Sequence, residues 1–466
     1  MRDKQFKYLF ENELNRTKSK YSRANRHTDN NVAYNTRKYF ESISEDSAIN
    51  VGLEKGVLTT EGLESLPLEI QEEFVIQRFI RELFGKEDVN CVGIGSHPDF
   101  SAIEYNDSTV RQYICTIFFD IKGSTRLSLL YDLEQVFFIK NSILKTTIEI
   151  IRAFDGYVHR LMGDAVMAFF GSSFKTKEDA VIDALNCSMA LKMFMDQSVK
   201  PHLESMGFDT IDFGFRVGCD FGGDDDVLWG AYGFDSVGEI SPTGLPVDMA
   251  SKLQGLADKN SVMLGQGLLD FIVWPERYSR PKMSSNDEVK YVTPNITHPD
   301  KKPLNYRMKM LDYEKALILS ALPIGERSRD CKAVQGSDHI DYKCFVQENN
   351  DRKEYISASR CLNKGLDLEF SVSISKAAPF IFPIKLSLYK QNNGPYVPRS
   401  EKVEAETVSL SKIIYKSMPS LVGNNEPYSF LVPEKTAYRG LHTMRCVLED
   451  ANGKIVYENS IGVFIN

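Results

Sequence analysis

Two acidic side chains stand where they could do chemistry. Asp120 closes the apolar run that begins at Tyr113, and Asp164 occupies a tight Gly163-Asp164 turn between two further apolar runs. Carboxylates brought side by side on adjacent strands make a site for hard cations, and Mg²⁺ takes oxygen ligands while keeping positions open for phosphate. Two such ions, roughly 3.5–4 Å apart, clamp the attacking and leaving oxygens of a phosphoryl transfer. The turn Lys122-Gly123-Ser124-Thr125 follows Asp120 and precedes a helix. Its backbone N–H groups can cradle a polyphosphate. Either acid alone reads as a cap or turn residue, common places for Asp. Together, on paired buried strands beside a Gly-Ser-Thr turn, they read as a metal site.

The elements that must position these residues follow from periodicity. Ile114 to Phe119 has no polar alternation and reads as a strand buried on both faces. Leu133, Val136, Phe137, Leu144, Ile148 and Ile151 follow helical spacing over Asp132 to Phe154, and Gly156 ends that helix. Tyr157–Met162 and Ala165–Phe170 read as a hairpin around Gly163-Asp164. A second helix spans Glu178 to Met195, strands are expected over Thr210–Asp220 and Val227–Ile240, and a short helix runs from Pro246 to Leu256. The order β-α-β-β-α-β is that of a ferredoxin-like core. Upstream, Ile70, Phe74, Phe79, Ile80 and Leu83 form a helical stripe with Pro67 near its start and Gly85 after its end. Beyond residue 325 the pattern changes to strict alternation, as in Leu366, Leu368, Phe370, Val372 and Ile374. Asn452-Gly453 between two such runs predicts a type I′ hairpin. These strands suggest an antiparallel β-sandwich. The expected architecture is therefore α+β, with a helical N-terminal region (1–108), a ferredoxin-like core domain (109–315) and a C-terminal sandwich (325–466).

At 466 residues the chain has room for two or three cores. Its net charge of −8 gives it no electrostatic reason to coat nucleic acid. The first 27 residues are locally basic and read as a solvated helix rather than a nucleic-acid arm. The eight cysteines form no Cys-x-x-Cys pair and read as reduced core thiols. No apolar run is long enough to span a bilayer, and the N-terminus is charged rather than signal-like, so a cytoplasmic location is expected. No Gly-x-x-x-x-Gly-Lys-Ser/Thr occurs, which sets aside a P-loop enzyme. Gly222-Gly223-Asp224-Asp225-Asp226 reads as a solvated acidic loop.

Three stretches carry a resemblance. Phe118 to Thr125, Arg160 to Ala168 and Gly244 to Lys252 resemble, in order, the signatures of class III nucleotidyl cyclases, over about residues 113–270. In that family a nucleoside triphosphate is cyclised: its 3′-hydroxyl attacks the α-phosphorus and pyrophosphate leaves. The resemblance implies that Asp120, Asp164 and the carbonyl of Ile121 hold two ions, Mg²⁺ or Mn²⁺. It also implies a homodimer with composite sites, since the chain has one cyclase unit. The whole layout is similar to the pyrimidine cyclases of the bacterial Pycsar anti-phage system. That likeness implies cyclic CMP or cyclic UMP as product, a separate effector that reads it, and a sensor role for the C-terminal module.

Departures from the family pattern bear on substrate. Arg160 stands where purine cyclases carry the Lys or Glu that reads the base, and Ser241 stands near the second base-reading position. A guanidinium offers only donors, in a fork. Cytosine presents adjacent acceptors, O2 and N3; uracil meets the fork with one oxygen; adenine suits it poorly; guanine's N7 and O6 also suit it. A phosphate contact or a surface charge is the plain alternative for Arg160. CTP is the first expectation and UTP the second. Asp248 replaces the usual transition-state Asn, and Lys252, which can still neutralise growing phosphate charge, replaces the usual Arg. An ionised Asp248 cannot donate to phosphate. Either it serves the ribose hydroxyl, or the match to the family signature is out of register there, or the chain is a catalytically weak, nucleotide-binding sensor.

Overall fold

The computed structural model describes residues 6–24, 53–54, 56–66, 71–100, 108–234, 237–292, 305–323, 338–399, 401, 406–416 and 426–466. They form two compact units, Met1–Leu269 with Arg280–Leu311, and Asp270–Ser279 with Asp312–Asn466. Pro67, Ile70 and Cys331 lie outside the described residues.

The first unit opens with α1 (Leu9–Ala24) and α2 (Val75–Leu83). The basic α1 is not solvated all round. Phe6, Leu9, Phe10 and Leu14 are buried, while Lys7 and Lys18 stay exposed. The apolar stripe of α2 buries Ile80 and Leu83, and Gly85 follows with φ 65°, the left-handed conformation of a helix C-cap.

The central element is β1 (Ile114–Lys122), buried along its length except near Asp120 and Lys122. It is followed by α3 (Ser124–Leu130), α4 (Leu133–Ala153), β2 (Tyr157–Met162), β3 (Ala165–Phe170), α5 (Lys177–Phe194) and β4 (Gly214–Gly222). Next come β5 (Leu228–Phe234), β6 (Val237–Thr243), α6 (Leu245–Leu256), β7 (Ser261–Gly265) and β8 (Met308–Leu311). Six strands of the main sheet run in the order β8-β7-β4-β1-β3-β2. The β1-α4-β2-β3-α5-β4 segment thus gives the order β4-β1-β3-β2, with β1 antiparallel to both neighbours. Continuous apolar runs become the inner strands because only there are both faces covered. The expected strand over 227–240 is instead a hairpin, β5 with β6, paired from Leu228↔Thr243 to Phe234↔Val237. Gly233 and Gly238 face one another beside the reversal, and Gly233 takes φ 100°.

One close approach fixes the helix above the sheet. A Cβ at Gly218 of β4 would fall 2.1 Å from the Ala250 carbonyl oxygen and 2.3 Å from the Gln254 nitrogen of α6. Only glycine lets α6 lie that near.

In the second unit, β9 (Ile340–Glu348), β10 (Asp351–Tyr355), β11 (Cys361–Leu362) and β12 (Asp367–Ile374) precede β13 (Ile384–Gln391) and β14 (Thr407–Ile414). The chain ends with β15 (Tyr428–Lys435), β16 (Gly440–Glu449) and β17 (Ile455–Ile465). Two sheets result, β10-β9-β12-β15 and β11-β17-β16-β13-β14. Alternate residues Leu368, Phe370, Val372 and Ile374 are buried, as their spacing requires. They share one apolar cluster with Leu386, Leu388, Met444, Cys446 and Leu448 of the other sheet. Each such side chain contributes about 1.5–3 kcal/mol of burial. The β16–β17 hairpin forms, but its turn is not type I′, which needs positive φ at both central residues. Only Gly453 has it (φ 75°), and the Asp450 carboxylate organises the turn by accepting from the amides of Asn452 and Lys454.

Among the described residues the cysteines are free thiols, and no helix is long and apolar enough to cross a membrane.

Candidate functional site

Register brings the two acids together. Asp120 on β1 pairs with Ala165 of β3, the residue after Asp164. Asp164 shares the two-residue turn between β2 and β3 with Gly163, whose φ of 68° is the left-handed start that a tight hairpin turn favours. The Asp120 carboxylate is held on one side. It accepts from Arg216 Nη2 at 2.5 Å and from Gln254 Nε2 at 2.9 Å, both at Oδ2. Arg216 is the residue of β4 directly opposite, and Gln254 comes down from α6. Asp164 is held differently. Its Oδ2 is buried and accepts no hydrogen bond, with the Lys140 ammonium 3.8 Å away. A buried carboxylate oxygen without a donor is costly unless a cation supplies the missing charge.

These residues fit a divalent cation: a carboxylate on β1 and one in the neighbouring β2–β3 turn, the latter with an unfilled buried oxygen, and the Ile121 main chain beside them. Among the described residues no group of three or more His, Cys, Asp or Glu side chains converges. A site here would therefore draw on main-chain oxygen and on the substrate's own phosphates.

The turn after β1 takes the shape that the sequence suggests. Gly123 caps α3 with φ 82°, and a Cβ there would lie 2.5 Å from the Asp212 carbonyl oxygen. Ser124 is buried, and Lys122 and Thr125 are exposed. Asp248 and Lys252 lie one turn apart on α6, and both are exposed. They share a helix with Gln254, which contacts Asp120.

Arg160 and Ser241 meet a different set of partners. Arg160 of β2 is ion-paired with Glu239 of β6, and Ser241 Oγ lies 3.3 Å from His159 Nε2. Burial pushes the His159 imidazole down to about 4, helped by the neighbouring Arg160 and His97 charges. It is therefore neutral at physiological pH. The acidic loop at 222–226 is pinned rather than free. The Asp224 carboxylate accepts from the Tyr113 amide at 2.9 Å and from Lys177 Nζ.

Sequence reasoning missed Arg216, Gln254, His159 and Glu239. Arg216 carries a signal, being the one basic residue in the run that becomes β4. Gln254 carries none, because only the approach of α6 gives it a partner.

Comparison with known proteins gives the family. A cytidylate cyclase of Escherichia coli is 40% identical over 397 residues, which are 84% of this chain and 88% of that protein. A cytidylate cyclase of Staphylococcus aureus is 35% identical over 391 residues, 83% of this chain and 86% of its own. A second from Escherichia coli is 32% identical over 461 residues, covering 94% of this chain and 96% of that one. Residues 327–466 match the Adenylyl/Guanylyl and SMODS C-terminal sensor domain. Among solved structures, the adenylyl cyclase CyaB from P. aeruginosa covers 44% of this chain and 95% of its own, at 18% identity and a TM-score of 0.36. That last likeness adds no weight to the sequence relatives. The protein is a nucleotidyl cyclase of class III. Within that class the chain belongs to the cytidylate cyclase family.

Proposed function

We propose that the chain converts CTP into 3′,5′-cyclic CMP and pyrophosphate. The observation that carries this is 40% identity across 84% of the chain to a cytidylate cyclase. In the reaction the ribose 3′-oxygen bonds to the α-phosphorus while the bond from α-phosphorus to its bridging oxygen breaks. The hydroxyl proton goes to solvent, and pyrophosphate departs with the bridging oxygen. Asp120, Asp164 and the Ile121 carbonyl hold two Mg²⁺ or Mn²⁺ ions, which when bound polarise the α-phosphate and acidify the 3′-hydroxyl. The amides of Gly123, Ser124 and Thr125, with Lys122 beside them, cradle the triphosphate. Lys252 neutralises charge that grows on the phosphates. Asp248 accepts from a ribose hydroxyl, and Arg160 and Ser241 face the base.

The exposed Asp248 and Lys252 face supports a homodimer, in which one protomer's α6 completes the site of the other. Residues 1–108 form the helical N-terminal region and 109–315 the cyclase domain. Residues 325–466 form a β-sandwich that senses a signal, a reading supported by the sensor-domain match. The product serves as a cytoplasmic second messenger in anti-phage defence and is read by a separate effector, with no membrane or nucleic acid required.

The test is incubation of the purified chain with all four nucleoside triphosphates and a divalent metal, with products identified by mass spectrometry. Cyclic CMP that disappears in D164A is expected. Cyclic UMP as the main product would make the chain a uridylate cyclase. Tight nucleotide binding without pyrophosphate release would make it a sensor.

A further inference from the structure

Two side-chain pairs join β2 to β6. Arg160 meets Glu239, and His159 meets Ser241. Successive residues of a regular strand point to opposite faces. Here two successive residues reach the same neighbour, because the β2–β3 register slips between Val158 and Arg160. Such a bulge re-aims side chains, and bulges are over-represented beside active sites. On β6, Glu239 and Ser241 are two apart and share a face. The Ser241 hydroxyl is engaged by His159. Arg160 and Glu239 each keep 43% of the side chain exposed. A guanidinium has five donors and a carboxylate about four acceptor positions, so the bond between them leaves most of both open.

We infer that Arg160 and Glu239 together form the base-reading element, and that they read the pairing edge of cytosine. The inference rests on the cytidylate cyclase reading above and names the specificity residue of that site. Cytosine presents an amino donor at N4 and acceptors at N3 and O2. The carboxylate of Glu239 accepts from the amino group, and the Arg160 fork donates to N3 and O2. The pair offers acceptor, donor, donor, the order in which guanine meets cytosine. Uracil puts O4 against the carboxylate and N3–H against the guanidinium, two repulsive contacts that reject it. Adenine matches at its amino group and N1, but its C2–H leaves one guanidinium donor without an acceptor. The carboxylate also reduces the pull of Arg160 on phosphate, which favours a base contact over a phosphate contact.

The test uses the full-length protein and kcat/KM for CTP and UTP. In E239Q the carboxamide can turn its NH₂ toward uracil O4, so the CTP/UTP ratio falls by at least about tenfold. E239D keeps a preference for CTP. S241A lowers the ratio by less than E239Q does, since the hydroxyl held by His159 has less bonding capacity left for the base than the Glu239 carboxylate. A ratio in E239Q within twofold of wild type, whether or not both rates fall together, overturns the inference, since a merely structural Glu239 would give that result. So does a larger loss of discrimination in S241A than in E239Q. Equilibrium binding of CTP and UTP with Ca²⁺ in place of Mg²⁺ reads the same ratio without turnover. A wild-type chain that prefers CTP in binding but forms no cyclic product refutes the proposed activity and leaves the Glu239 assignment standing. A wild-type chain that makes cyclic CMP while E239Q keeps its selectivity does the reverse.

Discussion

Asp120 and Arg160 lie two strands apart on one sheet, yet different forces hold them. Asp120 sits on an inner strand, in register with Ala165 on one side and Arg216 on the other, and α6 adds Gln254. Only 19% of its side chain is exposed. Arg160 sits on the edge strand β2, more than twice as exposed, and its partner comes from a hairpin outside that sheet. Asp120, proposed to hold the ions at the phosphates, is set by backbone register and by a helix that only Gly218 lets approach. The groups proposed to choose among bases are a side-chain pair at a margin, where exchange of one residue leaves the core unchanged. On the proposed roles, chemistry common to every nucleoside triphosphate is separated from the choice between them.

Several substitutions would break this contrast or sharpen it. Asp164→Ala, at the rigid end, should lower cyclic nucleotide formation more than about a thousandfold with every triphosphate, with unchanged circular dichroism. A selective loss with one base would merge the two regions. Lys252→Ala should cost about 10²–10³-fold in kcat, again without regard to base. Gly218→Ala should lift α6, destabilise the fold by about 1–3 kcal/mol in urea titration, and reduce activity without altering selectivity. Arg160→Ala, at the edge, should draw the kcat/KM values of the four triphosphates together while urea stability stays within about 0.5 kcal/mol of wild type.

A further effect concerns neither region and leaves activity aside. Burial pushes the Asp220 carboxyl up to about 7 from 3.8, against hydrogen bonds from Tyr306 and the Leu268, Phe221 and Gly267 amides. Between those values the folded chain holds a proton that the unfolded chain has released. The stability this group adds is therefore complete below pH 3.8 and is lost as the pH rises through about 7. Asp220→Asn should flatten the fall in urea stability between pH 5 and pH 8 and leave selectivity untouched. An unchanged slope would show that Asp220 ionises freely within the fold.

Local pattern made much of the fold legible. The apolar run at Ile114–Phe119 became β1, the spacing over 132–154 became α4, and Gly163-Asp164 became a two-residue turn. Each depends on residues within a few positions of one another, where strand and helix periods leave their mark. The alternation at Leu366–Ile374 likewise separated buried from exposed positions. The reversal within 227–240 was not fixed by local pattern: the segment reads as one strand although Asp235-Ser236 interrupts the apolar pattern there, and only the pairing of β5 with β6 shows that the chain turns back. Nor was the Asn452-Gly453 turn type, which the Asp450 carboxylate decides.

The sequence by itself determined which residues carry charge at strand ends, and so the kind of chemistry the chain is suited to. It could not determine whom those charges face. Arg216 reaches Asp120 through register, Gln254 through the approach of a helix, and Glu239 reaches Arg160 through a bulge and a hairpin. Each of these contacts joins segments distant along the chain, and no periodicity in either segment encodes the other. Tertiary structure alone decides them, because hydrogen bonds and ion pairs depend on distances that only the packed backbone sets.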